Sequence, residues 1–424
     1  MPNGFNKEER VAFENVLEGF NDALVLSKNI SNFTTDQTTM ERTNDVIWRP
    51  QPYIGVSIDA PAGTDISASF KDQTQLAVPA TIGFNRAVPL TLNAKELRDA
   101  LQENRLGDAA KQKLASDINT SIMNVAAAQG TMFVKRSSAA TGFDDVAQCE
   151  AIFNEQGVPS YDRYLALSTR DYNGMAGNLA GRQTMNTKPT NAYERAFVGQ
   201  VASFDTFKLD YANRQLAAAG GAGLTVSTLD AAVNYYLPKA TSTTVGGKIN
   251  VDNRYQTITV SSTTNVAAGD AFTIAGVNAV HHITRGDTGQ LKTFRVISVT
   301  NSTTMVISPP IISNQVANDA AAQYQNCVVN TKSATSAIVF LNTTAGFINP
   351  FWQKDAFELL PGRYAVPSDA GVAVMRASTD QGIEIVMQKF YDINTMKTKF
   401  RWDCLWGVVC KQPEMAGVMM FSQS

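Results

Sequence analysis

Phe400-Arg401-Trp402-Asp403-Cys404-Leu405-Trp406-Gly407-Val408-Val409-Cys410 places large apolar residues at alternate positions, the period of a β-strand with one well-buried face. Upstream, Gly382 to Phe390 alternates in the same way, with Ile383, Ile385 and Met387 on one side and Glu384, Val386 and Gln388 on the other. Downstream, the turn Gln412-Pro413-Glu414 leads into a third apolar run, Ala416 to Phe421. This end of the chain therefore predicts three strands building a sheet, and it contains no group suited to catalysis.

Toward the N-terminus the composition changes twice. Residues 144 to 222 mix helical patches (Asp144 to Gln156, Asn191 to Val198) with short apolar strands such as Tyr164 to Leu167. Ala217 to Gly223 is a Gly- and Ala-rich join. From Gly223 to Leu341 the sequence is rich in Thr, Val, Ser and Asn, with strands at Gln256 to Val260, Ala271 to Ile274, Lys292 to Thr300 and Thr304 to Ile307. Its rhythm of strand and turn predicts a small closed β-barrel spliced into a loop, with Tyr255, Ile258, Val260, Phe272 and Ile274 in its core. Lys239 to Lys248, including Thr241 and Thr243, has too little apolar content to serve folding and is a candidate contact loop.

The first half of the chain reads as helix, extended segment, helix. Phe13, Val16, Leu17, Phe20 and Leu24 fall at helical spacing between residues 6 and 28, and Asn6 with Glu9 resembles a capping box. The opposite face carries Glu8, Glu9, Glu14, Glu18 and Asp22 against Lys7, Arg10 and Lys28. A Thr-, Asn- and Gln-rich stretch to Arg42 then separates this helix from the body in the manner of a mobile arm. Pro50, Pro52, Pro61, Pro79 and Pro89 exclude helix between residues 50 and 89 and predict a long β-hairpin. Asn93 with Glu96 repeats the capping signature, and Leu97, Leu101, Leu114, Ile118, Ile122 and Val125 continue one stripe to Gln129. The resulting helix runs to roughly 55 Å at 1.5 Å per residue, with Gly107 as the place for a break.

At 424 residues the chain has room for two or three compact units, and its formal net charge of −2 gives no basis for tight binding to nucleic acid or anionic membranes. Only 17% of residues are charged, which fits a surface largely covered by partners. Cys149, Cys327, Cys404 and Cys410 form no C-x-x-C pair, so neither a disulfide framework nor a zinc site is predicted. The N-terminus has no basic segment followed by an apolar core. No apolar run reaches the length of about eighteen residues needed to span a bilayer.

Candidate chemistry is sparse. His281 and His282 are adjacent, so on a strand they point to opposite faces and cannot bind one metal as a pair; a solvent-facing loop is expected. Arg285-Gly286-Asp287 matches a cell-adhesion tripeptide but also reads as a turn. Gly246-Gly247-Lys248 and Gly220 to Gly223 lack the spacing of phosphate-binding loops, and no Gly-x-Ser-x-Gly elbow occurs. The tryptophans at 48, 352, 402 and 406 are expected to fill cores.

The strand ending in Leu405-Trp406-Gly407-Val408, followed by the Pro413-Glu414 turn and a short apolar strand, resembles the C-terminus of major capsid (coat) proteins of tailed double-stranded-DNA bacteriophages. Ile249 to Val260 and Ala268 to Val277 are similar to the inserted domain of the short-tailed enterobacterial subgroup, and Met40 to Trp48 resembles the same subgroup. The resemblance implies an α+β, Hong-Kong-type phage capsid fold with an inserted small β-barrel domain. It implies an N-terminal arm (1–45), an extended loop (46–90), a spine helix and peripheral domain (91–143) and an axial domain in two parts (144–222 and 342–381). The insert would occupy 223–341, and C-terminal strands (382–424) would return to the peripheral domain.

The implied function is structural: self-assembly with a scaffolding protein into an icosahedral procapsid, assembled in the host cytoplasm, that matures to enclose packaged DNA. A portal protein would be a further partner, the DNA would be enclosed without sequence-specific binding, and neither membrane nor cofactor is called for. The acidic helix face, with Glu14 and Glu18, is the candidate scaffolding contact. Lys239, Thr241, Thr243 and Lys248 are the candidate contacts between capsomers. Lys71 stands alone among lysines between residues 50 and 90, the region in which some relatives form a covalent cross-link, although a plain solvated charge explains it too. A competing reading, from the β-rich insert and the Arg-Gly-Asp tripeptide, is a phage tail or surface adhesin.

Overall fold

The computed structural model describes all residues except 1–4, 6, 34–45, 53–54, 56, 64, 94–95, 97–99, 182–198, 210–211, 221–222, 228–234, 331–334, 365, 367–371 and 424. It divides into two compact units. Met1–Ile47, Pro79–Asn124 and Phe357–Val409 form the first, and Trp48–Val78, Val125–Ala356 and Cys410–Ser424 form the second. Helices and sheets occur in both, giving the α+β class. Asn6, Leu97 and the stretch 34–45, all used in the sequence reading, lie outside the described residues.

The first unit is organised by the strand Lys397–Cys410. Glu384–Asp392 pairs with it antiparallel, from Ile385 opposite Cys404 to Asp392 opposite Lys397. Phe84–Asn93 also pairs antiparallel, from Phe84 opposite Trp406 to Asn93 opposite Lys397. Ala373–Ser378, Phe357–Pro361 and the short Ser31–Asn32 complete six strands. The expected alternation holds from Lys397 to Trp402, but Asp403 to Gly407 are buried without interruption.

Within this doubly buried run the side-chain polar groups of Asp403 and Trp406 are partnered. Trp406 Nε1 donates to Ser121 Oγ at 2.9 Å, and Arg401 Nε donates to Asp403 Oδ1 at 2.7 Å. The Phe84 ring stacks on Trp406 with centroids 5.8 Å apart. Gly407 has to be glycine for lack of space, since a Cβ there would stand 2.3 Å from the Thr81 carbonyl oxygen.

Two helices cross in this unit. The first, α1 (Lys7–Ala23), buries Phe13, Val16 and Phe20, and Leu24 just beyond its end is buried as well. The second, α2 (Ala100–Gln129), is about 45 Å long at 1.5 Å per residue, and its residues beyond Asn124 belong to the second unit. Leu114, Ile118 and Ile122 are buried on the apolar stripe of α2. Leu101 lies on the helix, but its side chain is outside the described set.

Gly107 does not break α2. A Cβ at Gly107 would meet Val16 Cγ2 at 2.6 Å, so the glycine makes room for a close approach of α1 to α2. Asn119 joins the same crossing. Its side chain accepts from the Leu26 N–H at 3.3 Å and donates to the Ala23 carbonyl at 3.1 Å, satisfying backbone left open at the end of α1. Glu96 accepts from the Asn93 N–H at 2.7 Å, half of the expected capping box. Glu9 does not belong to the outer charged face on which the sequence reading placed it, because it is buried and paired with Lys389.

In the second unit, a six-stranded sheet runs in the order Met132–Lys135, Ala416–Met420, Asn349–Gln353, Arg163–Ser168, Phe204–Leu209 and Gln200–Val201. The third C-terminal strand therefore does not join the other two. Ala416–Met420 pairs parallel with Met132–Lys135 and antiparallel with Asn349–Gln353. The helix α3 (Phe143–Glu155) contributes Val146, Cys149 and Phe153 to the core of this sheet, and α4 (Thr169–Gly181) contributes Tyr172 and Met175.

Residues between Thr225 and Phe340 build a second, seven-stranded sheet, ordered Thr225–Ser227, Thr335–Phe340, Ala271–Val280, Asp287–Val299, Thr304–Ser308 and Gln256–Thr259, with Cys327–Val329 also on Ala271–Val280. A bridge between Val226 and Val260 joins the two ends of that order, closing the sheet into a barrel. Ile258, Val260, Phe272 and Ile274 lie in its core, and Phe272 stacks on Phe294. Tyr255 does not. It falls out of phase with Gln256, Ile258 and Val260, so its ring lies outside, 5.0 Å from the Arg254 guanidinium carbon.

The barrel is fastened to the rest of the unit by buried cations that donate to backbone carbonyls. Arg295, fully buried, donates to the Ala127 carbonyl at 3.0 Å and to that of Gly130 at 3.5 Å, at the C-terminal end of α2. Thr293 Oγ1 donates to the Thr131 carbonyl at 2.9 Å, and Arg254 Nη1 to that of Cys410 at 2.9 Å. Lys292 pairs with Glu414 in the Pro-Glu turn. Helix C-termini leave carbonyls without intrahelical partners, and here a neighbouring barrel supplies the donor.

Replacing Arg295 by Leu keeps the volume apolar but leaves those carbonyls without their donor, which should cost about 1–3 kcal/mol. Urea unfolding of the isolated subunit checks this. A lowered midpoint at unchanged slope is expected, and an unchanged midpoint would show that the cap carries no stability.

Candidate functional site

Among the described residues, no three His, Cys, Asp or Glu side chains stand close enough to hold a metal ion. Cys149, Cys327, Cys404 and Cys410 are buried and unpaired, and burial pushes all four thiols up, those of Cys327 and Cys410 to about 12, so none presents a thiolate at neutral pH. No described helix is long and apolar enough to cross a membrane.

The histidines are not in a solvent-facing loop, as the sequence suggested. The His282 N–H donates to the Gln156 carbonyl at 3.0 Å, and the His281 ring lies against Gly157. His282 Nε2 is buried with no hydrogen-bond partner, and burial pushes the imidazole down to about 4. These rings pack rather than ligate.

Arg285 and Asp287 are committed within the barrel. Arg285 donates to the carbonyls of Gln325, at 2.6 Å, and of Gln323. Asp287 accepts from Asn330 Nδ2 at 2.8 Å, from the Gly289 N–H at 2.8 Å and from Asn278 Nδ2 at 3.2 Å, and these bonds lower its pKa. The Arg285 guanidinium is thus taken up by carbonyls of residues 323 and 325, while Asp287 stays exposed and holds Asn278, Gly289 and Asn330. Lys71 Nζ lies 2.8 Å from Asp319 Oδ1, an exposed pair. Trp352, Trp402 and Trp406 are buried in cores, whereas Trp48 is half-buried.

What the molecule offers instead is exposed surface. Residues 241–250 are not a loop but a β-hairpin, Thr241–Thr244 against Gly247–Asn250, with Thr241 opposite Asn250 and Thr244 opposite Gly247. All ten residues are exposed, Val245 at the tip completely, and Ile249 keeps half its surface in solvent. Lys239 and Lys248 are exposed as well. The base of the hairpin is clamped by Asn253. Its amide accepts from the Lys239 N–H at 3.0 Å and from Tyr236 Oη at 3.0 Å, and donates to the Lys239 carbonyl at 2.9 Å.

An isolated two-stranded hairpin is marginal in water. This one is clamped at its root by Asn253, and its apolar Val245 and Ile249 stay exposed. A second exposed feature is the outer face of α1, where Glu14 and Glu18 are exposed opposite the buried Phe13, Val16 and Phe20.

Among solved structures, Mycobacterium phage Che8 aligns over 93% of this chain and 90% of that chain at 8% identity, with a TM-score of 0.45. The capsid of the cyanophage P-SCSP1u aligns over 93% and 86% at 10% identity, TM-score 0.43. The CUS-3 coat protein I-domain is 41% identical over 29% of this chain and 99% of its own length, TM-score 0.22. A family model described as P22 coat protein, gene protein 5, matches residues 1–422. With the match running from the first residue almost to the last, the chain belongs to the P22 coat protein family and is a structural subunit of an icosahedral phage shell.

Proposed function

We propose that this subunit assembles with a scaffolding protein into a procapsid in the host cytoplasm, and that the shell matures to enclose double-stranded DNA entering through a portal protein. The observation that carries the reading is the hairpin at 241–250, exposed at every residue and clamped at its base by Asn253. A structural subunit gains from many modest contacts distributed over symmetric copies, and an element of this kind reaches a neighbour without disturbing its own core. Lys239, Thr241, Thr243 and Lys248 are assigned to the contact between capsomers. With two lysines and no acid between Lys239 and Asn250, the hairpin suits a polar or acidic face on the adjoining capsomer.

Glu14 and Glu18 are assigned to scaffolding. Their carboxylates project from a helix whose apolar side is already occupied, so a basic partner would meet charge rather than exposed core. The subunit performs no catalysis in this reading, binds the packaged DNA only by enclosure and has no membrane partner. Residues 223–341 are taken as the inserted domain, between axial segments 144–222 and 342–381. The Arg285 guanidinium, held by two carbonyls of its own chain, disfavours the adhesin alternative.

Shortening Thr241 to Gly247 should leave the subunit's melting temperature unchanged and lower the temperature at which shells release their contents or fall apart. Particles as stable as the wild type would remove the hairpin from the contact. Glu14→Lys combined with Glu18→Lys should abolish recruitment of scaffolding in co-assembly while circular dichroism stays unchanged. Normal recruitment in moderate salt would refute the scaffolding assignment.

A further inference from the structure

Unpartnered buried polar atoms are rare in folded proteins, and several in one place call for an explanation. In the first unit, four of them gather at one end of the six-stranded sheet: Asn32 Oδ1, Thr379 Oγ1, and both Oε1 and Nε2 of Gln381. Thr379 is 7% exposed and Gln381 9% exposed, so both are more than nine-tenths buried. All three residues line a single cavity of about 490 Å³, within the size range of ligand pockets.

The charges around the cavity balance. Arg363 and Arg376 face it with Asp380 and Glu384. Glu384 sits between the two arginines, 3.8 Å from Arg363 and 3.5 Å from Arg376. An anion or a nucleic-acid backbone would favour an excess of cations, and a metal ion would favour converging carboxylates. A neutral wall presenting free amide donors and acceptors together matches instead a group that both donates and accepts. That group is a peptide or side-chain amide, which the Gln381 amide can meet with two hydrogen bonds at once.

We propose that this cavity is an intersubunit socket, and that its occupant is an uncharged polar stretch of polypeptide from a second copy of this chain. The inference rests on the reading of the chain as a shell subunit, which supplies a second copy at high local density. Paired with that copy, Gln381 and Thr379 lose their desolvation penalty only in the assembled state, so the socket stabilises the shell and not the free subunit. It also gives the contact register, because an amide pairs at fixed geometry where an apolar patch would slide.

The test uses Gln381→Leu with Thr379→Val in the full chain, compared with wild type as free subunit and as shell. Removing buried polar atoms that have no partner should leave the free subunit's melting temperature equal or higher. The same change should raise the subunit concentration needed for assembly by about tenfold or more, the effect of one lost buried hydrogen-bond pair. Equal assembly by variant and wild type would overturn the proposal, as would a lowered subunit melting temperature, which would place the partner within the same chain.

Hydrogen exchange over residues 379–384 separates the same alternatives. Protection gained only in shells supports a second copy, and equal protection in subunit and shell overturns it. Failure of wild-type protein to form shells would instead count against the functional reading itself.

Discussion

The fold turns on how the carbonyl end of α2 is satisfied. A helix of thirty residues ends at Gln129, and beside the buried Ala127 and Gly130 the donor for its terminal carbonyls comes from Arg295 on a strand of the barrel. The guanidinium is itself fully buried. Burial lowers its pKa to about 10, which still leaves it charged at neutral pH, and the carbonyl dipoles offset part of its desolvation. Thr293, two residues away, fixes the next turn of chain at Thr131. The barrel thus takes part in how the helix ends.

A subunit built in this way has its chemistry in its surfaces. Its thiols are buried, its histidines are packed, and the ionic groups nearest to a recognition motif are engaged with their own chain. What remains available is an exposed hairpin, an acidic helix face and a cavity with unpaired amides, three features that make sense when the finished object contains many copies. The Hong-Kong-type capsid fold is the one that membership of this family implies.

Much of this was legible in the sequence because period-two and period-3.6 patterns survive wherever one face is buried. The alternation from Phe400 onward gave the strand, and Leu114, Ile118 and Ile122 gave the buried stripe of α2. Alternation identifies a strand but not its neighbours, so Ala416–Met420 could not be separated from the sheet before it. Gly107 reads alike as a kink or as a point of close approach, and only the position of Val16 decides. Tyr255 has the opposite parity to Ile258 and Val260, so alternation along the strand turns its ring away from the barrel core. The socket left no trace, since Asn32, Thr379 and Gln381 are scattered polar residues with no pattern until folding brings them together.

The central claim is that this chain encloses space by association with itself. Electron microscopy of the protein, expressed with and without its scaffolding protein, tests that claim most directly. Closed, uniform shells in the presence of scaffolding are the predicted result. Fibres or small discrete oligomers under the same conditions would contradict it.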